Sequence, residues 1–260
     1  MNFVLSVVKN MNSIITQIRL ALSFLTTLPS GSFTDEVPEE ILGQTQAWFP
    51  LVGLLLGLIL LTGGLFFNLF LTPAITAALI LLLHFLLTGG FHLDGIADTA
   101  DGLMSGRIDR EKIFSIMKDS FLGSMGATAL ILLLLIKFSA LLTLVKEAPF
   151  SLVLFPVLGR YAIIQLTFSS EYARPEGGLG AIFTNHCGIH ELSIAAFTAL
   201  AAGLLCAGFA GLLSFFTIVL YVFLVSYSAK RKLGGVTGDI LGFTCESSEA
   251  LALIMLVALI

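Results

Sequence analysis

Charged side chains are scarce in this chain. Asp, Glu, Lys and Arg make up 12% of its 260 residues, about half the share found in soluble domains. So little charge cannot cover a water-facing surface, which excludes a soluble globular protein. Cysteine is nearly absent. Cys187, Cys206 and Cys245 are widely separated, show neither zinc nor redox spacing, and read as small apolar packing residues. The N-terminus lacks the charged region, apolar core and small-residue cleavage site of a removable signal peptide. No low-complexity linker and no internal repeat interrupts the chain. A formal net charge of −4 gives no general attraction to nucleic acid.

Apolar residues fill the space that charge leaves. They account for 57% of the chain, and the mean hydropathy is +1.01, so lipid is the main solvent. The apolar runs are long and continuous, which favours a helical bundle over an alternating barrel. Spans are expected over 48–70, 74–91, 122–145, 150–168, 192–212 and 215–229, with a shorter apolar run at 250–260. The expected fold class is all-α: a polytopic integral membrane bundle of about six or seven transmembrane helices, forming one domain over 1–260. Residues 1–28, broken by Lys9, Asn10, Asn12, Gln17 and Arg19, read as an amphipathic surface helix. The spacing of Gly53 and Gly57, with Gly63-Gly64 and Gly89-Gly90, marks close helix contacts.

The few charges are placed unevenly. With the N-terminus inside, Lys9, Arg19, Arg107, Arg110, Lys112, Lys118, Arg174, Lys230, Arg231 and Lys232 fall on the cytoplasmic side, while the outside turns hold only Lys146. That bias satisfies the positive-inside rule. Of 17 Asp and Glu, only Glu147 lies in an outside turn. The inside segments are also the long ones, so the active site is expected at the cytoplasmic face of the cytoplasmic (inner) membrane.

The segment from Gly89 to Gly102 reads GGFHLDGIADTADG and follows directly on an apolar run. Asp94, Asp98 and Asp101 stand at i, i+4 and i+7, within about 60° of arc on one helical face. Like charges so placed repel, and no Lys or Arg on the same turns relieves them. A divalent cation would. Magnesium takes oxygen ligands and bridges carboxylates to substrate phosphates. The next segment, 107–126, is charged and amphipathic. Arg110 and Lys118 suit phosphate oxygens, and Asp119 suits a further ligand or a general base. Arg160 lies inside an apolar span and must face the bundle interior to meet a carboxylate or phosphate. Arg174 sits beside a glycine-rich turn suited to an anion. His84, in mid-span, reads as a helix-to-helix hydrogen bond, and His186 and His190 as ordinary loop residues. The segment 230–249 carries Lys232, then GGVTGD with Thr237 and exposed backbone amides suited to phosphate. Asp239, Glu246 and Glu249 form a second acidic group.

These motifs are where the sequence resembles a known family, the cobalamin synthases (adenosylcobinamide-GDP ribazoletransferases), over nearly its whole length. The resemblance rests on LSFLTTLP at 22–29, FPLVG at 49–53, the GGFHLDGIADTADG segment, Arg110 with IMKDSFLGSMG, ARPEGGLG at 173–180, and the GGVTGD ending with its two later glutamates. It implies a reaction that joins adenosylcobinamide-GDP to α-ribazole or α-ribazole 5′-phosphate and yields adenosylcobalamin or its phosphate with GMP. Mg²⁺ is the implied cofactor. On that reading Asp94, Asp98 and Asp101 hold metal with Asp239 and Glu246, and Asp119 joins the catalytic set. His92, Arg110, Lys118, Arg160, Arg174, Lys232 and Thr237 face substrate, and a carboxylate takes the proton of the ribazole 5′-hydroxyl. Other cobalamin-pathway enzymes or a second copy of the chain are the further partners envisaged, with no nucleic acid. Two rival readings remain. A CDP-alcohol phosphotransferase would carry Arg after Ala100, where this chain has Asp101. A corrinoid or cation transporter would need a polar path through spans that are apolar apart from His84, Lys137 and Arg160.

Overall fold

The computed structural model describes residues 13–31, 37–106 and 109–260. Lys9 and Arg107, counted above among the inside charges, and the first half of the expected surface helix lie outside the described residues. The elements in chain order are α1 (Ile14–Leu25), α2 (Glu39–Gln44), a 3₁₀ turn (Thr45–Trp48), α3 (Phe49–Phe67), α4 (Pro73–Thr88), α5 (Phe91–Met104), α6 (Arg110–Met117), α7 (Ser124–Glu147), a second 3₁₀ turn (Pro149–Val153), α8 (Leu154–Phe168), α9 (Leu179–Asn185), α10 (Ile189–Leu233) and α11 (Gly238–Ala258). Among the described residues the only β pairing is one isolated bridge, Tyr172 with Val236.

Local chemistry explains the helix starts. Pro73 opens α4 just after Thr72, where the missing N–H costs nothing. The hydroxyl of Thr237 caps α11 by accepting the Ile240 N–H at 3.3 Å, and Asp109 caps α6 by accepting from Glu111 N at 3.1 Å.

Among the described residues, five helical stretches are long and apolar enough to cross a membrane, and α4 with α5 make a sixth if that bent pair counts as one crossing. The chain is an integral membrane protein. The 45 residues of α10 are not one straight rod. Gly208 breaks the helix at φ 55°, ψ −128°, a left-handed position open to glycine. A Cβ on Gly211 would lie 2.6 Å from the Gly203 carbonyl carbon. In a straight helix those residues stand about 12 Å apart. The chain therefore folds back at Gly208 into two antiparallel arms; two spans were expected here, but with the turn at 213–214, so the break comes inside the first of them. The final span differs from expectation. It does not begin at Ala250 but at Gly238, so Glu246 and Glu249 sit within a spanning helix instead of an inside loop.

The bundle is built around α8. From Leu154 through Thr167 every residue of α8 is buried, and 94% of its apolar window is enclosed against 33% for α7. Helices α3, α10 and α11 surround it. Without a hydrophobic driving force between helices in lipid, close packing must supply the attraction. Gly53 and Gly57 give α3 that closeness, as their spacing suggested. A Cβ at Gly57 would sit 2.6 Å from Val153 Cα, and one at Gly53 would sit 2.8 Å from Val157 Cα. Outside the bundle, α1 buries Leu20, Ala21 and Leu25 and exposes Ile14 and Ile15. Its end is pinned to α4, where Thr27 donates from its N–H to Leu87 O at 2.8 Å and from its hydroxyl to Leu86 O at 2.8 Å.

Gly57→Leu forces the α3 backbone off the 3₁₀ turn that leads into α8. A destabilisation of about 3 kcal/mol, the upper range for overpacking, is expected, read as a lowered unfolding midpoint of the protein in detergent. Gly63→Leu, whose nearest contact is a flexible Leu83 methyl, costs less.

Candidate active site

The acidic helix is positioned by a bend. Gly89 and Gly90 are both left-handed, at φ 65° and 67°, and turn the chain by 95° between α4 and α5. The fourteen-residue α5 is not itself a spanning segment. It lies against α11 at a glycine contact, where a Cβ on Gly95 would meet Gly242 Cα at 3.0 Å. His92, Ile96, Ala97, Thr99 and Ala100 are buried on the packed side, which leaves the three aspartates on the other face, as their spacing predicts.

Their environments differ. Asp94 is exposed and lines a cavity of about 470 Å³. Asp98 is half-buried. Burial, then the negative charges of Asp94, Asp239 and Asp101, push its carboxyl up to about 7 against a weaker opposing pull from Arg174. Asp101 has both oxygens engaged, accepting from Gly123 N and Gly126 N at 2.8 Å each. It thereby closes the otherwise unpaired N-terminus of α7, whose dipole favours negative charge.

The second acidic helix supplies Asp239. Its Oδ2 accepts from Arg174 Nη2 at 2.6 Å and lies 3.2 Å from the Thr237 hydroxyl. The guanidinium of Arg174 also stands 5.8 Å from the Phe114 ring centroid, a cation–π arrangement. The loop bearing Arg174 is sewn to the start of α11 by two backbone bonds, Ala173 N to Val236 O and Val236 N to Glu171 O, each 2.8 Å. The 470 Å³ cavity opens beside this group. Asp94, Asp239 and His92 give it polar lining, and Phe24, Phe91 and Phe183 an aromatic wall. The three rings make edge-to-face contacts through Phe24. Buried His92 has an Nδ1 without a hydrogen-bond partner among the described residues.

Other expected site residues lie elsewhere. Lys118 pairs with Glu176, both exposed. Arg110 reaches Gly234, Lys232 is exposed on the last turn of α10, and the exposed Asp119 accepts the Phe121 N–H at 3.1 Å. Two further residues have charged partners inside the bundle. Glu246 was expected to join Asp239 as a metal ligand, but it is 2% exposed and bonded to Lys137 Nζ at 2.5 Å. Arg160 was expected to face substrate. It does face the bundle interior and meet a carboxylate, but that carboxylate is Glu249. Glu249 is the hub of this group: one oxygen takes Arg160 and lies 3.5 Å from His84 Nε2, and the other takes Lys137 at 2.6 Å. Glu246 is drawn from the acidic group, and Arg160 from the substrate-facing one, for the same reason. Charges inside a span need charged partners, and the two glutamates and two cations cancel. Lys137 and Arg160, both in mid-span, were the available signal for a buried ion group, and the i, i+3 pair Glu246 and Glu249 its complement.

A cluster of carboxylates and a guanidinium opens on a cavity at one end of the bundle of a polytopic membrane protein. The chain belongs to the cobalamin-5-phosphate synthase family, which matches it over residues 17–257, and so has a role in cobalamin assembly. An adenosylcobinamide-GDP ribazoletransferase of Geotalea daltonii is 38% identical over 240 residues, covering 92% of this chain and 96% of that one. Those of Acetivibrio thermocellus, at 36% over 92% of this chain and 96% of that one, and Ectopseudomonas mendocina, at 40% over 92% and 97%, carry the same name. No solved structure matches the chain.

Replacing Glu249 with Gln takes the carboxylate from Arg160 and leaves Lys137 with Glu246 alone, so the buried group carries one positive charge in excess. Loss of one partner from a buried ion group costs about 3–5 kcal/mol, measured as a fall in the unfolding midpoint in detergent. Lys137→Met in the same chain is expected to restore part of it, because the two sites are in contact.

Proposed function

We propose that this chain transfers the adenosylcobinamide phosphate group of adenosylcobinamide-GDP to α-ribazole or α-ribazole 5′-phosphate, releasing GMP. The observation that carries the reading is the meeting of Asp94, Asp98 and Asp239 with Arg174 at the mouth of an aromatic-walled cavity, in a chain whose relatives of 36–40% identity bear the ribazoletransferase name. A pyrophosphate fits the charged mouth and an apolar ring fits the wall.

The donor set fits Mg²⁺. Asp94, Asp98 and Asp239 offer hard oxygen ligands only, and the crowding that pushes Asp98 upward is relieved by a cation. Among the described residues no three His, Cys, Asp or Glu side chains stand close enough to hold an ion by themselves. One or two carboxylates completed by water and substrate phosphates is the usual way this ion is held. When bound between Asp94 and Asp239, it would neutralise charge on the pyrophosphate.

The chain's own residues do the rest. Asp98 takes the proton from the attacking ribose hydroxyl. That oxygen bonds to the phosphorus nearer the corrinoid, the bridging P–O bond breaks, and GMP carries away the electron pair. The 5′-hydroxyl expected above is not the nucleophile shared by both acceptors: in the 5′-phosphate it is already esterified, and the product retains that ester. A ring hydroxyl of the ribose is common to both. Arg174 faces the developing charge. The count of basic residues in the sequence favours placing this mouth at the cytoplasmic side of the inner membrane.

Asp98→Asn keeps the shape and removes the base, so turnover of adenosylcobinamide-GDP is expected to fall by roughly 10²–10⁴-fold in liposomes, with the protein still inserted and folded. Asp94→Ala should abolish Mg²⁺-dependent turnover. Near-normal rates in a folded Asp94→Ala protein would rule out its place in the reaction.

A further inference from the structure

A second cavity, distinct from the aromatic one, shares Arg174 with the site. It measures about 400 Å³ and is lined by Ser170, Glu171, Tyr172, Arg174, Thr184 and Asn185. Where the first cavity presents phenylalanines, this one presents hydroxyls, an amide and a carboxylate. Arg174 therefore stands between the two, with Asp239 in its grip. A ligand whose phosphates lie at Arg174 reaches the polar cavity on one side and the aromatic wall on the other.

We infer that the polar cavity is the guanine subsite of the nucleotide leaving group, with Glu171 as the residue that selects guanine. This rests on the transferase reading above and extends it. The chemistry is specific. Guanine presents two adjacent donors, N1–H and the 2-amino group, and a carboxylate presents two adjacent acceptors. Adenine places a lone pair at N1, which the same carboxylate repels. Sites built to hydrogen-bond a ligand N–H discriminate strongly against analogues that lack it. The Glu171 side chain is exposed and makes no hydrogen bond or ion pair to any described residue, so its oxygens are available. Tyr172 and Pro175 add flat apolar surface. The ring of Tyr172 is fixed against the 178–180 turn, where a Cβ on Gly180 would meet its Cε2 at 2.7 Å. The apolar base of ribazole, with no such donor pair, belongs against the phenylalanines instead.

The backbone around Glu171 makes the test clean. Its carbonyl, not its carboxylate, accepts the Val236 N–H that joins the two loops, so Glu171→Gln leaves the bridge intact. Equilibrium binding of GMP, IMP and AMP to purified protein in detergent is the measurement, followed by inhibition of turnover by the same three nucleotides. IMP lacks the 2-amino group and so reads one of the two hydrogen bonds. The wild type is expected to bind GMP ahead of IMP, and IMP ahead of AMP. In Glu171→Gln the preference for GMP over AMP should drop about 10- to 100-fold, the range for losing hydrogen bonds to a charged group, with the KM for ribazole unchanged. Unaltered GMP preference in Glu171→Gln overturns the inference. If the wild type binds GMP selectively through Glu171 but turns over no corrinoid substrate, the subsite stands and the transferase reading fails.

Discussion

Lipid cannot solvate the four charges that this bundle holds in its interior. Lys137 on α7, Arg160 on α8 and the two glutamates of α11 must therefore find one another, and Glu249 does most of the joining, with His84 of α4 at its edge. This constraint ties four helices together at one level, and the rest of the arrangement follows from it. Once α11 is held at Glu246 and Glu249, its first turn, with Asp239, is fixed in register against α5. The glycine contact between Gly95 and Gly242 then brings the two acidic helices into reach of each other. Buried ion groups are weak evidence for stability as such; here the group sets which faces meet.

The aspartates of α5 show how one spacing yields several jobs. All three share a face, yet the surrounding elements separate them. Gly123 and Gly126 bring the α7 N-terminus down on Asp101, which makes that carboxylate a helix cap. Asp94 is left open to the cavity, and Asp98 is left among like charges. The arrangement concentrates the unrelieved negative charge at Asp98 and puts the cation of Arg174 across from it on Asp239. Charge and apolar surface are thus sorted across a short distance, with carboxylates and a guanidinium at one end and aromatic rings at the other.

Much of the fold was legible. Spans in lipid must be continuous and apolar, so 48–70, 122–145 and 150–168 could be read from hydropathy almost to their ends. The turn between the two arms of α10 was readable as well, since 45 residues exceed any bilayer. The last span was not, because hydropathy sees Glu246 and Glu249 as water-seeking. Their partner Lys137 is more than a hundred residues away in sequence, and a single sequence does not pair distant charges. The acidic helix was clear from its i, i+4, i+7 spacing. Asp101's role as a cap was not, since it depends on backbone amides over twenty residues downstream. The aromatic wall was equally silent: Phe24, Phe91 and Phe183 are ordinary apolar residues until folding gathers them.

Phe24 belongs to α1, a twelve-residue helix too short to cross the membrane and fastened to the bundle through Thr27, three buried side chains and Gln17, which accepts from Trp48 Nε1 at 2.9 Å. The cavity is therefore walled on one side by the core and on the other by a clasp. Whatever fills the cavity against Phe24 also strengthens the seating of α1, and by reciprocity whatever tightens that seating tightens the ligand. Displacing that one surface helix would open the wall at Phe24 while leaving the ion group of Glu249 untouched.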